Sequence, residues 1–72
     1  MIRVKVRFSH HAAYKSMPDE GIAEEEVLET MRKSERTASL GYGKFKFMYR
    51  DLEVVALREK GYWLVVTCYR LK

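Results

Sequence analysis

Apolar and polar residues alternate strictly from Ile2 to Phe8, with Ile2, Val4, Val6 and Phe8 on one side and Arg3, Lys5 and Arg7 on the other. A period of two is the pattern of a half-buried strand, here with a basic face opposite an apolar one. Ser9 stands where a helix cap is needed, so a short helix is expected from His10 to about Met17. Pro18 is expected to stop it, and Asp19, Glu20 and Gly21 to form a turn. The pattern then changes to helical spacing. Val27, Leu28 and Met31 make a narrow apolar stripe within a helix expected from about Ala23 to Ser34. Glu24, Glu25 and Glu26 sit at its positive N-terminal end, and Arg32 and Lys33 at its negative C-terminal end.

A short strand is expected over Thr37 to Leu40, followed by a loop at Gly41-Tyr42-Gly43. Three strands follow, from about Lys44 to Arg50, Glu53 to Arg58 and Tyr62 to Arg70. Lys60-Gly61 is a good hairpin turn, and Asp51-Leu52 a weaker one. In the first of the three, Phe45, Phe47 and Tyr49 are expected inward and Lys44, Lys46 and Arg50 outward. The last two do not alternate: Val54 to Leu57 and Leu64 to Val66 are apolar on both faces, as in strands from the middle of a sheet. The sequence therefore predicts an α+β fold with the order β-α-α-(β)-β-β-β. One antiparallel sheet is expected, with both N-terminal helices packed on one face. Two short helices cover one face only, so the other needs different protection.

At 72 residues and 47% hydrophobic content the chain has the length and composition of one small globular domain, residues 1–72. Cys68 is the only cysteine. It cannot form an internal disulfide, and with no signal peptide pattern it points to a reducing, cytoplasmic setting. No apolar run approaches a membrane span. Charge is unevenly placed. Residues 19–36 carry seven acids against three basic groups, while residues 37–72 carry seven basic groups against three acids. Residues 1–18 hold Arg3, Lys5, Arg7 and Lys15 with no acid. Basic flanks of this kind suit either a phosphate backbone or an acidic protein.

His10 and His11 are the two histidines, and histidine is the natural proton carrier near neutral pH. Neighbours on a helix point about 100° apart, and no cysteine or carboxylate lies near at a ligand spacing, so neither a metal nor another cofactor is expected. Cys68 lies in no nucleophile motif and reads as a small core residue. Basic and aromatic residues interleave from Lys44 to Arg50, but alternation sends rings and cations to opposite faces of the strand.

His11-Ala12-Ala13-Tyr14-Lys15, Gly21-Ile22, Glu25-Glu26-Val27 and the closing Val65-Val66-Thr67-Cys68-Tyr69 form a pattern that spans nearly the whole chain. It resembles a family of small bacterial and archaeal domains classed as domain of unknown function number 4258. That family is thought to share the fold of RelE-like and ParE-like toxins and the small ribonucleases. The resemblance implies RNA cleavage without metal, in which the ribose 2′-hydroxyl attacks the adjacent phosphate. It assigns His11 as acid or base, with His10 in its place if the helix begins a residue earlier. Lys15 stands where the family has arginine, and Thr67 and Tyr69 line the site. Arg3, Lys5, Arg7, Lys44, Lys46 and Arg50 would guide the RNA. The chain departs from the pattern in three ways. Lys15 lacks the planar fork of arginine. Glu20 reverses the charge expected before Gly21, and the stretch from His11 to Gly21 is one residue longer. A shared fold does not transfer an activity. The alternatives are a nucleic-acid-binding domain without catalysis, or an interaction module whose apolar sheet face is covered by an antitoxin-like protein or a second copy.

Overall fold

The computed structural model describes residues 5–71. Strand β1 (Lys5–Phe8) leads into a π-helical turn (Ala12–Ser16), a short helix α1 (Met17–Glu20) and a longer helix α2 (Glu24–Lys33). Four strands follow: β2 (Arg36–Gly41), β3 (Lys44–Tyr49), β4 (Leu52–Glu59) and β5 (Tyr62–Arg70). The fold is α+β, with a five-stranded sheet in the order β1-β5-β4-β3-β2.

The sheet is mixed rather than wholly antiparallel. Hairpins join β2 to β5 in an antiparallel run, but β1 pairs with β5 in parallel, Lys5 opposite Tyr62 and Phe8 opposite Val65. Alternation fixes which side chains share a face. It says nothing of strand direction, which here follows from β1 occupying the free edge of β5. Of the expected first strand, Ile2, Arg3 and Val4 lie outside the described residues.

Ser9 caps the helical segment as its position suggested. Its Oγ accepts the Ala12 N–H at 3.1 Å and donates to the Val66 carbonyl at 3.3 Å, and its own N–H donates to Val65 at 2.9 Å. Pro18 does not stop the helix. The turn ahead of it is wide, with the Met17 N–H reaching back five residues to Ala12, and Pro18 falls in the first turn of α1. A missing N–H costs nothing there. The stop comes at Gly21, in the left-handed conformation with φ +64°. Its N–H donates to Pro18 at 3.3 Å, and that of Ile22 donates to Met17 at 2.9 Å. This pair of bonds closes a helix C-terminus, with Ile22 and Met17 buried beside it. Gly21-Ile22 is thus a helix-ending device.

The order places β4 and β5 in the centre, as their unbroken apolar runs require. Cross-strand pairing defines two faces. Phe45, Phe47, Val54, Ala56, Val65 and Cys68 share the first, and form one core cluster with Ala12, Met17, Ile22 and Val27. Trp63 stands edge-on to Phe45 and Phe47, with centroids 5.5 and 5.2 Å away. Val55 belongs to the opposite face, yet it too is buried. Two expected details are corrected at the β3–β4 turn. Leu52 is a buried strand residue, and the turn is Arg50-Asp51. Arg50 has φ +55° and its guanidinium lies 5.2 Å from the Tyr49 ring, so it does not continue the outward row of Lys44 and Lys46.

Candidate functional site

The second sheet face is built from rows that cross the strands. One row runs Lys5, Tyr62, Glu59; the next runs Arg7, Leu64, Leu57, Lys44. A third contains Val55, Lys46 and Ala38, and the fourth Tyr69, Glu53, Met48 and Arg36. Cations therefore border this face on both sides, Lys5 and Arg7 from β1 and Lys44, Lys46 and Arg36 from β3 and β2. Leu57, Leu64 and Met48 between them are half-buried, whereas Lys5, Arg7, Arg36 and Lys44 are exposed. Along β3 alone rings and cations part company, but β5 brings Tyr62 and Tyr69 to the cationic face. Arg36 and Tyr62 escape a reading of single strands, because pairing register alone places them there.

Two side chains on this face are fixed by their neighbours. The Arg7 guanidinium lies 5.0 Å from the centre of the Tyr62 ring, a cation–π contact that orients it. Glu53, with 8% of its side chain exposed, lies 3.9 Å from the Lys46 ammonium. Tyr69 lies opposite Glu53 across the strands, and that carboxylate raises the Tyr69 pKa above its ordinary value; burial adds to the effect. A carboxylate this enclosed needs such partners.

The helical residues make a different arrangement. His10 and His11 are exposed, and the His10 ring packs on Tyr14 at a centroid distance of 4.6 Å. The Lys15 ammonium is 3.4 Å from Asp19. Ser16, which carried no signal in the sequence, shares a 3.0 Å hydrogen bond with the Thr67 hydroxyl and holds this segment against β5. Thr67 is thus engaged with Ser16, and Tyr69 with Glu53. Among the described residues no hydrogen bond or ion pair joins any two of His10, His11, Lys15, Thr67 and Tyr69.

Beside Glu20 and Glu26 stands a cation from β5. Arg70 donates from Nη2 to the Glu26 carboxylate at 2.6 Å and to the Gly21 carbonyl at 3.4 Å. Its Nη1 is 3.7 Å from Asp51. Nearby, a shallow depression of about 130 Å³ is lined by Glu26, Glu29, Thr30, Tyr49, Arg50, Asp51 and Leu52, and none of the candidate catalytic residues borders it. Cys68 is buried, and desolvation pushes its thiol up from the ordinary value. Among the described residues no three histidine, cysteine or carboxylate side chains gather as metal ligands, and no helix is long and apolar enough to cross a membrane. No protein-family model, curated protein or solved structure matches this chain.

Proposed function

We propose that this chain is a cytoplasmic RNA-binding domain of the RelE-like, small-ribonuclease type, and that RNA lies across the second sheet face. The observation that carries this reading is the gathering of Lys5, Arg7, Arg36, Lys44 and Lys46 on one face together with Tyr62 and Tyr69. Ala12, Met17 and Val27 from the helical segments join the core of the first face, and Lys5, Arg7, Arg36 and Lys44 on the second are exposed. The cations would neutralise phosphates, and the tyrosines offer flat surfaces to unstacked bases. Labelled single-stranded RNA titrated by anisotropy at two salt concentrations tests it. With about five phosphate contacts, affinity should fall about a hundredfold between about 50 and about 200 mM salt. Binding insensitive to salt, or no binding in low salt, would overturn the reading.

A second reading adds cleavage. It is favoured by the Ser16–Thr67 bond, which holds the segment bearing His10, His11 and Lys15 against the last strand. In the chemistry implied, one histidine takes the proton of the ribose 2′-hydroxyl as its oxygen bonds to phosphorus. The bond to the 5′-oxygen breaks, and an acid protonates that leaving oxygen. Lys15 would have to leave Asp19 to meet the phosphorane charge. RNA incubated with the protein in EDTA, beside His11→Ala and His10→Ala, decides this. Cleavage lost in one variant supports it; no cleavage, or equal cleavage in all three, excludes it.

A further inference from the structure

The two edges of the sheet differ. At one edge β1 carries Lys5 and Arg7, both exposed, and charges of that kind keep an edge from pairing with another chain. At the other edge β2 pairs only with β3, and every residue of β2 is exposed. From Thr37 to Gly41 it has no charge and no proline, in a chain that is 33% charged. Its one irregularity, the bulge between Ser39 and Gly41, lies at the turn end and leaves Arg36 to Ser39 in regular register with β3. The outward backbone groups of that stretch are open to a further strand. Its two hydroxyls are unlike in what they still offer. Thr37 donates to the Ser34 Oγ at 3.1 Å, which leaves its oxygen free to accept. The Ser39 Oγ accepts the Gly41 N–H at 3.4 Å, which leaves its proton free to give. Both stand on the face that holds Phe45 and Phe47.

We propose that β2 pairs antiparallel with β2 of a second copy of this chain, about a two-fold axis through Ala38, so that the two sheets become one. Residues opposite one another in such a pair share a face, so the axis falls on a residue and not between two. At Ala38 it sets methyl against methyl. Thr37 then meets Ser39 of the second copy, acceptor against donor. Arg36 meets Leu40, which is 47% exposed and offers an apolar surface to the arginine stem. The two Arg36 residues stand four positions apart along the pair, about 14 Å, beyond the screening length of about 8 Å in physiological salt. An axis on Thr37 would halve that separation, and one on Ser39 would set Thr37 against the bulged Gly41. This match of the strand to itself is what selects a second copy over an unrelated strand. The axis is perpendicular to the sheet, so the cationic faces of both copies lie on the same side. Pairing uses the edge alone and stands whether or not that face binds RNA.

Sedimentation of the whole chain over a range of concentrations, without RNA, tests this. The natural chain should show a monomer–dimer equilibrium that stops at the dimer, because each copy has one β2 to pair. Each copy carries a net charge of +4 and the paired strands hold no opposite charges, so added salt should strengthen the dimer. Ala38 is exposed, so Ala38→Lys and Ala38→Glu should each keep the circular dichroism of the natural chain. Each sets like charges against one another at the axis and should weaken the dimer about tenfold or more. An equal mixture of the two variants should dimerise again, which a variant that merely failed to fold would not do. A chain that stays monomeric at every concentration, whether its edge is idle or serves the strand of another protein, would overturn the proposal. So would assemblies that grow past the dimer, a dimer that salt dissociates, variants that dimerise as well as the natural chain, or a mixture that stays monomeric.

Discussion

The Glu20 carboxylate accepts the backbone N–H of Arg70 at 3.3 Å, and the Arg70 side chain donates back to the Glu20 carbonyl from Nε at 3.4 Å. The turn between the helices is thereby tied to the last strand through both partners. Arg70→Ala would keep the backbone bond to the Glu20 carboxylate but free Glu26, Asp51 and the Glu20 and Gly21 carbonyls at once. Thermal denaturation should show the midpoint lowered by several degrees, while Lys33→Ala, which removes an exposed contact to Glu29 at 3.6 Å within α2, should leave it nearly unchanged. Equal effects of the two would remove Arg70 from its central place.

The same cluster sets an acid dependence. Arg70 hydrogen bonding, followed by the Ala23 N–H, holds the Glu26 carboxyl below its ordinary value of 4.5. A depressed folded-state pKa stabilises the fold above the unfolded value and ceases to do so as pH falls through the folded one. From about pH 5 to about pH 3, the melting midpoint of the natural chain should therefore fall more steeply than that of Glu26→Gln. Parallel curves would show that the pair contributes nothing to folding.

Backbone conformation gives two opposite outcomes. Gly21 sits at φ +64° with open space where a side chain would go, so Gly21→Ala meets backbone strain and no clash. Its cost in urea denaturation should be about 1 kcal/mol, and Gly21→Asn should cost less. Tyr42 is a fully exposed residue at φ +53° in the β2–β3 turn. Tyr42→Asn should stabilise by about 0.5–1 kcal/mol, since asparagine suits that turn position. A destabilised Tyr42→Asn would mean that the ring has contacts of its own.

Phe47 is buried beside Trp63, the chain's single tryptophan, which makes fluorescence a direct report on this part of the core. Phe47→Ala should cost about 3–5 kcal/mol. A domain of this length has about 4–11 kcal/mol in total. The variant should therefore show a largely exposed tryptophan in mild denaturant. Val55→Ala on the second face removes less from the core and should retain a cooperative transition.

The elements were legible in the sequence because their signals are local. Alternation marked Lys5 to Phe8 and Lys44 to Tyr49, the glutamate run and Arg32-Lys33 marked α2, and Ser9 marked a cap that the structure shows in full. The apolar runs of β4 and β5 implied their central positions before any pairing was known. What remained hidden depends on distant partners. The parallel direction of β1 has no signature in a seven-residue alternation. Pro18 looked like a terminator because the wide turn that accommodates it leaves no compositional trace. The tie between Glu20 and Arg70 joins residues fifty positions apart, and no local pattern announces it. At the candidate site, residue types pointed to His10, His11 and Lys15. The rows joining Lys5, Tyr62 and Lys44 appear only once register is fixed.

The pairing of β1 with β5 also governs the order of assembly. Ser9 and Val66, hydrogen bonded at this junction, are 57 residues apart in the chain. The hairpins between β2 and β5 can form from neighbouring segments, whereas β1 has no seat until β5 is in place. Loop closure over that distance must be met before the contact rewards it, so docking of the first strand belongs to the late, slow phase of folding. While the chain is being synthesised, its Lys5-to-Phe8 segment emerges before the other four strands and waits for β5. A ribosome stalled before Tyr62 would hold a hairpin and helices, with the basic strand still unplaced.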